Sequence, residues 1–286
     1  MPELPEVETT ARGLRPHLVG RRIAAVGGID WPNMLPNTDP IELEAVLPGR
    51  VVEAIDRRGK YLILRLSDGA ALVLHRKMSG NLLRRPAAAP PERHTHLILT
   101  FDDGSELHFV DPRKFGRIYY FPTAEALASF VAARLGPEPL DDLTPVRLAD
   151  LFRGRRRRLK SLLLDQSFLA GLGNLYVDEA LWLASLHPER SADSLTRTEV
   201  RRLAEAIREV LQNAIQRRGT SLSSYLDASG EPGRNQDYLL AYGRAGQPCQ
   251  RCGRPIERRL IGQRGTWYCP RCQRARSPSP RGGGSG

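Results

Sequence analysis

Apolar residues follow a helical spacing at the start of the chain. An amphipathic helix is predicted over residues 4–18, because apolar side chains recur there at three- and four-residue intervals, at Leu4, Val7, Ala11, Leu14 and Leu18. Pro5 falls in the first turn of this helix, where a proline loses no backbone hydrogen bond.

Residues 20–120 follow a shorter period. Apolar and β-branched runs alternate there with turns rich in Gly and Asp, and the runs are RVVEAIDRRGKYLILRL (50–66), ALVLH (71–75), THLILTF (95–101), ELHFV (106–110) and RIYYF (117–121). Several short strands at this spacing predict a β-sandwich or barrel. PAAAPPERH (86–94) is predicted to be a flexible loop.

Helical periodicity returns after LGPEPLDDLTP (135–145), a segment rich in Pro and acidic residues that we interpret as an interdomain linker. Two helices are predicted within residues 146–165 and one within 174–186. A longer helix starts at Thr196, which forms a capping-box match with Glu199. Residues 219–235 are predicted to form a long polar loop.

The overall charge indicates a polyanionic partner. The 286 residues leave room for two domains and carry a formal net charge of +11, which favours DNA, RNA or a membrane surface as the partner. No apolar run is long enough to span a membrane, and the N-terminus does not have the pattern of a signal peptide. We therefore expect a soluble cytoplasmic protein.

All four cysteines lie near the C-terminus in two C-x2-C pairs, Cys249 with Cys252 and Cys269 with Cys272. Four thiolates at this spacing are typical of one tetrahedral structural Zn²⁺. The segment between the pairs is predicted to be a hairpin with Arg264 at its tip. From spacing alone, Arg264 is equally well interpreted as a phosphate contact or as an ordinary solvated charge.

Four other motifs have a structural and a functional interpretation. GLGN (171–174) either forms a turn with Asn174 as a helix cap or binds a phosphate at the helix start. RGRRRRLK (153–160) is either a solvated helix face or a DNA-backbone contact. The loops HRKMSG (75–80) and DPRKFG (111–116) supply a methionine and a phenylalanine that either pack in the core or insert into a duplex.

The chain opens with MPELPEVE. Removal of Met1 before the small residue that follows would expose the secondary amine of Pro2, which titrates near neutrality and forms an iminium directly with an electrophilic carbon. Glu3 and Glu6 would then supply carboxylates for acid–base work. The alternative is that Pro2 and Pro5 only begin a helix whose positive end attracts the two glutamates.

The combination of motifs is more specific than any single motif. MPELPEVET, RRGKYL around Lys60, DPRKFG, LGPEPL, GLGNLYVDEAL, YGR (242–244) and the four-cysteine finger follow one another in this order along nearly the whole chain. In this respect the chain resembles bacterial formamidopyrimidine-DNA glycosylases. The opening motif favours this branch of the superfamily over the endonuclease VIII branch.

The resemblance implies an α+β multidomain fold. Residues 1–135 would form a catalytic two-layer β-sandwich with flanking helices, and 136–145 a linker. Residues 146–237 would form a helical domain with a helix–two-turn–helix motif, 238–275 a zinc-finger hairpin and 276–286 a disordered tail. Bent double-stranded DNA would lie between the domains with the damaged nucleotide flipped out, and the protein would act as a monomer in the bacterial cytoplasm, associated with the nucleoid.

The resemblance also implies roles for individual residues. Pro2 would attack C1′ of the damaged nucleotide, Glu3 would assist opening of the sugar ring, Lys60 would donate a proton, and β- and δ-elimination would cut the strand. Arg264 would hold phosphates beside the lesion. The residues expected at the DNA are Glu6, His75, Met78, Arg113, Phe115, Lys160, Asn174 and Tyr242, with Met78, Arg113 and Phe115 filling the gap left by the flipped nucleotide.

Two segments depart from the family pattern. The family usually reads HLGMSG where this chain has HRKMSG, so Arg76 and Lys77 place two charges next to Met78 and the freedom of a glycine is lost. GRNQDY (233–238) departs from the family's usual loop pattern. Two alternatives therefore remain beside the removal of oxidised purines: an endonuclease VIII-like preference for oxidised pyrimidines, and a non-catalytic zinc protein that binds damaged DNA.

Overall fold

The computed structural model describes residues 2–86 and 89–275. Met1, the predicted tail 276–286 and part of the predicted loop 86–94 lie outside the described residues. The described residues form two compact units. Unit 1 contains the residues up to Glu138 together with Leu169–Gly171 and Leu211–Tyr238, and unit 2 contains Pro139–Phe168, Leu172–Val210 and the residues from Leu239 onward.

Unit 1 contains two antiparallel four-stranded sheets. One has the strand order β1-β6-β7-β5 and the other β2-β3-β4-β8. The helices and strands of this unit are α1 (Leu4–Leu18), β1 (Ile23–Gly27), α2 (Pro40–Val46), β2 (Val52–Arg58), β3 (Tyr61–Leu66), β4 (Ala71–His75), β5 (Asn81–Arg85), β6 (Thr95–Phe101), β7 (Glu106–Val110), β8 (Arg117–Phe121) and α3 (Ala124–Ala132).

The core of unit 1 lies between the two sheets. Alternate residues of β3, such as Leu62 and Leu64, pack in one cluster with Leu97 and Leu99 of β6 and with Leu14 of α1. The opposite face of the second sheet is covered by α3. Because side chains alternate between the two faces of a strand, the run 61–66 contributes to both clusters. The prediction of a β-sandwich with flanking helices is confirmed.

Unit 2 is mainly helical and ends in a two-stranded hairpin. Its elements are α4 (Pro145–Phe152), α5 (Leu159–Leu163), α6 (Asn174–Leu183), the first part of α7 (Arg197–Gln216), β9 (Glu257–Ile261) and β10 (Arg264–Tyr268). The capping box predicted for α7 is present, since the Thr196 N–H donates to Glu199 Oε2 and the Glu199 N–H donates to Thr196 Oγ1.

The organisation of the two units differs from a simple division along the sequence. The last residues of α7 and the loop 219–238 pack with unit 1 rather than with the helices that precede them. The predicted domain boundary at residues 237/238 remains a prediction.

Within the part of the chain that the structure describes, no helix combines the length and the hydrophobicity needed to cross a membrane.

Candidate active site and metal centre

Helix α1 begins two residues after the predicted nucleophile, Pro2. Pro2 and Glu3 are both buried, and the Glu3 N–H donates to Glu6 Oε2 at 2.8 Å. The Leu4 N–H donates to the carbonyl oxygen of Gly171 at 3.0 Å. A Cβ at Gly171 would lie 2.6 Å from the Leu4 side chain, so only glycine allows this approach. The first glycine of GLGN therefore supports the start of α1.

The second oxygen of Glu6 holds the loop 219–238. Glu6 Oε1 accepts the Thr220 N–H at 2.8 Å. One carboxylate thus connects the backbone next to Pro2 with the beginning of this loop. Thr220 did not stand out in the sequence, because only its position in space gives it a role.

Lys60 lies in the turn between β2 and β3 and is buried. The preceding Gly59 has a φ of +55°, and its N–H donates to Glu138. Glu138 also accepts hydrogen bonds from Arg57 at 2.7 Å and from Arg58 at 2.6 Å. The acidic residue of LGPEPL, which sequence analysis assigned to a linker, therefore fixes the turn that carries Lys60.

His75 is a neutral imidazole in the folded protein. Burial, together with the nearby charges of Lys77 and Lys60, lowers the pKa of His75 to about 3. Its Nδ1 accepts the Lys77 N–H at 3.0 Å, and its ring packs edge-on against Tyr61 with the centroids 4.7 Å apart. The side chain is suited to bracing the end of β4 rather than to carrying charge.

The three residues predicted to fill a gap in DNA lie together at the surface. Met78 and Phe115 are 44% and 41% exposed, which is unusual for large apolar side chains. The Arg113 guanidinium carbon lies 4.7 Å from the centre of the Phe115 ring, and its Nη1 lies 3.9 Å from Met78 Sδ. The structure therefore does not place Phe115 in the core.

A buried carboxylate that sequence analysis missed organises both loops. Asp111 accepts the backbone N–H groups of Phe115 at 2.9 Å and Gly116 at 2.7 Å, and it also accepts the Ser79 hydroxyl. Because Ser79 follows Met78, one side chain holds both exposed loops in position. The position of Asp111 immediately after β7 was the only signal in the sequence.

The two charges of HRKMSG differ in burial, since Arg76 is buried and Lys77 is partly exposed. Arg76 is fully buried, so the expectation that it would place a charge beside Met78 is wrong. Lys77 has a φ of +52°, in the left-handed region that glycine adopts freely. The turn therefore keeps a glycine-like conformation without a glycine.

The four cysteines of unit 2 form one cluster. Their Sγ atoms all lie within 4.8 Å of one another, and Cys249 and Cys269 are buried. The cluster packs against Trp182 and Ile256. Four thiols at this separation fit one tetrahedral Zn²⁺, and a full set of protein ligands makes the site structural rather than catalytic. The zinc prediction is confirmed.

Arg264 is exposed at the first position of β10. Gly262 and Gln263 form the two-residue turn, each with a positive φ, and Ile261 pairs with Arg264. A hairpin of this type is typically rigid, because both central residues match the twist of the flanking strands. Arg264 therefore projects from a well-defined position.

Lys160 and Asn174 hold the hairpin that carries Arg264. Lys160 Nζ lies 2.7 Å from Asp178 Oδ1 and donates to the carbonyl oxygen of Gly265 at 3.0 Å, and the same carbonyl accepts from Asn174 Nδ2 at 2.9 Å. The Lys160 side chain is fully buried, so it is not part of a solvated helix face, and its expected place at the DNA remains a prediction. Asn174 is not the helix cap, which is Gly173.

Two acids of helix α6 complete this arrangement. Asp178 Oδ2 accepts the Trp267 N–H at 3.0 Å. Glu179 accepts the N–H groups of Leu240, Ala241 and Tyr242, each at 2.8 Å. The Tyr242 ring packs on Trp267 with the centroids 4.4 Å apart. Two adjacent acids within an apolar helix were the available signal, but the sequence does not show what they bind.

Three family models match successive parts of the chain. They are the formamidopyrimidine-DNA glycosylase N-terminal domain over residues 1–118, the corresponding H2TH domain over 135–225, and a zinc finger found in FPG and IleRS over 246–275. A formamidopyrimidine-DNA glycosylase from Herpetosiphon aurantiacus is 47% identical over 96% of this chain and 100% of its own length. One from a Roseiflexus species is 48% identical over 96% of this chain and 100% of its own length.

The chain belongs to the formamidopyrimidine-DNA glycosylase family. Crystal structures of the Lactococcus lactis Fpg give the same fold. A complex of an Fpg variant with DNA that contains Fapy-dG has a TM-score of 0.89 at 37% identity, and a complex with DNA that contains an abasic site has a TM-score of 0.88 at 38% identity. Each comparison covers 96% of this chain and 100% of the other.

Proposed function

We propose that the protein is a bifunctional glycosylase and abasic-site lyase of base excision repair. It removes oxidised purines, 8-oxoguanine and formamidopyrimidines, from double-stranded DNA. The observation that carries this proposal is the start of α1, where Pro2 is followed by Glu3 and Glu6 in a buried, hydrogen-bonded arrangement. A protein that only bound DNA would not need an amine at this position.

The chemistry follows from the secondary amine. Once Met1 is removed, the Pro2 nitrogen attacks C1′ and the bond to the damaged base breaks. Loss of the nitrogen proton and opening of the sugar ring, assisted by Glu3, give an iminium ion that carries the sugar. The iminium acidifies C2′–H, so the 3′ phosphate leaves by β-elimination and the 5′ phosphate by δ-elimination. Lys60 supplies a proton near the leaving groups.

Other residues hold the DNA. Arg264 contacts phosphates beside the lesion from its exposed position on the hairpin, with Lys160, Asn174 and Tyr242 holding that hairpin in place. Met78, Arg113 and Phe115 replace the stacking that is lost when the nucleotide flips out. The net charge of +11 implies that binding weakens strongly with salt.

The preference for oxidised purines is supported by what the neighbours bind. The Lactococcus lactis protein was crystallised with DNA that contains Fapy-dG, and a related MutM with DNA that contains carbocyclic 8-oxo-G. We propose the same lesion class for this chain, acting as a cytoplasmic monomer that reaches the nucleoid through DNA binding.

A borohydride trapping experiment tests the proposal. The untagged protein, with removal of Met1 verified by mass spectrometry, is incubated with duplexes that contain 8-oxoguanine opposite cytosine, an oxidised pyrimidine or an abasic site, and the reductant is added. We expect a covalent protein–DNA band with 8-oxoguanine that is lost in Pro2→Gly. Glu3→Gln should still trap on the abasic site, whose sugar is already in equilibrium with an open-chain aldehyde, but not on 8-oxoguanine, whose sugar ring needs assistance to open.

The other outcomes are informative. A band only with the pyrimidine or the abasic duplex would keep the lyase and contradict the proposed specificity. No band in any lane, with DNA binding intact, would instead establish a non-catalytic binder of damaged DNA.

A further inference from the structure

Arg76 is a buried arginine that joins three segments of unit 1. Its Nε donates to the carbonyl oxygen of Gly80 at 2.7 Å, and its Nη1 donates to Thr10 Oγ1 of α1 at 2.7 Å. Its Nη2 donates to Asn81 Oδ1 and, at 3.0 Å, to the carbonyl oxygen of Leu226. The planar guanidinium thus contacts α1, the turn and first residue of β5, and the loop 219–238 together.

Burial of a guanidinium group costs free energy, so the contacts that compensate its charge indicate what the side chain stabilises. Its hydrogen-bond acceptors are all neutral, and burial lowers its pKa, although the charges of Glu6 and Asp227 act in the opposite direction. The guanidinium carbon also lies 5.0 Å from the ring centre of Tyr225. Loss of any one of these contacts would leave a buried charge less well compensated. The contacts therefore favour one conformation of the surrounding loops.

Asn81 extends the same connection. Its Oδ1 accepts both Arg76 and the Leu226 N–H, the latter at 3.1 Å, and its Nδ2 donates to the carbonyl oxygen of Ser224 at 2.8 Å. Arg76 and Asn81 therefore both hold the segment 224–226 by hydrogen bonds to its backbone. Leucine, the usual family residue at position 76, could make none of the polar contacts.

Further hydrogen bonds connect the loop held by Arg76 with the start of helix α1. Thr220 donates its N–H to Glu6, whose other oxygen accepts the Glu3 N–H beside Pro2. The Tyr225 hydroxyl lies within hydrogen-bond distance of two carbonyl oxygens, that of Glu6 at 3.4 Å and that of Arg218 at 3.2 Å. On the other side, Arg76 holds Gly80, two residues after the exposed Met78. Arg76 therefore lies between the loop residues that contact α1 near Pro2 and the turn that carries Met78.

We propose that Arg76 is a positioning residue for base selection. It holds the loop segment 219–230, which reaches the start of α1 through the contact of Thr220 with Glu6, in the conformation against which an extruded oxidised purine would lie, and it couples that conformation to the turn carrying Met78. This inference rests on the proposed glycosylase function. Arg76 is buried among protein groups, so it acts through the loop on base removal and not on the lyase step, which needs no base in the site.

The test compares Arg76→Leu, Arg76→Lys and Arg65→Leu with the wild-type protein. Arg65 is a matched control, because it is an arginine of unit 1 that lies on β3 in an exposed ion pair with Asp56. Single-turnover rates are measured with 8-oxoguanine opposite cytosine and with an abasic site, both at saturating enzyme. We expect Arg76→Leu to lower the base-excision rate about 10-fold or more. Abasic cleavage should change less than about 2-fold.

Hydrogen exchange of the DNA-free proteins provides a second readout. Amides 224–226 should exchange faster in Arg76→Leu, with α1 unchanged, and Arg76→Lys should lie between the two. An equal loss on both substrates, or no loss on either, would overturn the proposal. If Arg76→Leu does not fold, Asn81→Leu replaces it, and failure of both to fold would assign Arg76 to folding alone.

Failure of the proposed function would be recognised separately. In that case the wild-type protein would neither remove a base nor form a trapped complex on the abasic duplex. The exchange measurement would still show whether Arg76 holds the loop.

Discussion

Lys160 Nζ and Asp178 Oδ1 lie 2.7 Å apart, and both side chains are fully buried. Burial raises the pKa of Asp178 to about 7, against the opposing effect of the Lys160 charge. The pair also binds the backbone of Gly265 and Trp267 on the strand that begins with Arg264. A basic residue that the family resemblance places near DNA is therefore buried in the structure, where it holds the hairpin that carries Arg264.

Replacing one member of this pair should destabilise unit 2. Asp178→Asn removes the carboxylate from beside a buried ammonium, and loss of one partner of such a pair costs about 3–5 kcal/mol. Thermal and urea unfolding would measure this loss. The double variant Lys160→Met/Asp178→Leu, which buries no charge, should be more stable than Asp178→Asn. Equal stability of wild-type protein and Asp178→Asn would contradict the structural role.

Glu138 should matter for stability and for the lyase step. Glu138→Gln removes the charge that Arg57, Arg58 and the Gly59 N–H share, which we expect to cost about 3 kcal/mol and to loosen the turn at Lys60. Abasic-site cleavage should slow while DNA affinity is unchanged. The control is Glu53→Gln, an exposed position on β2, expected to change stability by less than about 0.5 kcal/mol. Identical cleavage rates for the two variants would argue against positioning of Lys60.

Local periodicity accounts for the parts of the fold that sequence predicted well. The apolar spacing of residues 4–18 coincides with α1, and the capping box of Thr196 and Glu199 coincides with the start of α7. The cysteine spacing also indicated the zinc centre. In each case the deciding interaction lies within a few residues along the chain, so the pattern is visible without a structure. The short strands β1 and β5 were not recognised individually, because the small residues of IAAVG and the polar residues of NLLRR leave no run of strongly β-forming side chains.

The residues of the candidate site could be predicted only where the type and motif of a single residue suggest its chemistry. Pro2 and the exposed Met78 and Phe115 could be named from the sequence. The partners that hold them could not, because Asp111, Glu138 and Asp178 meet their partners across distant segments. Arg76 is the clearest case. A charge next to an exposed loop is expected to point into solvent, and only its four hydrogen bonds in three dimensions explain why it is buried.

His75 should make the protein less stable at mildly acidic pH. Its folded-state pKa of about 3 lies below the unfolded value near 6.5, so its contribution is fully present above pH 6.5 and is lost as the pH falls towards 3. Relative to His75→Gln, the wild-type protein should lose about 2 kcal/mol between pH 7.5 and 5. Unfolding at both pH values measures the difference. An imidazole that titrates near pH 6.5 by NMR would refute the assignment.

Removal of zinc should disrupt the hairpin and with it the DNA contact through Arg264. The cysteine cluster packs on Trp182 and lies beside Trp267, so chelation should change tryptophan fluorescence. We expect DNA affinity to fall about 10-fold or more, because coordination energy is folding energy in such small modules. Stoichiometric Zn²⁺ should restore both signals, and Cys272→Ser should mimic chelation. Unchanged affinity after verified metal loss would show that the finger does not position Arg264.

Replacement of Lys77 tests the effect on stability of having a lysine where the family pattern HLGMSG has a glycine. A lysine at a φ of +52° pays about 1–2 kcal/mol that glycine does not. Lys77→Gly should therefore stabilise the protein by about 1 kcal/mol, because part of the gain is lost to the greater entropy of the unfolded glycine. Lys77→Ala keeps the strain and removes the charge, so it separates the two effects in thermal unfolding. If Lys77→Ala stabilises as much as Lys77→Gly, the charge near Arg117, and not the backbone, is the source of the strain in this turn.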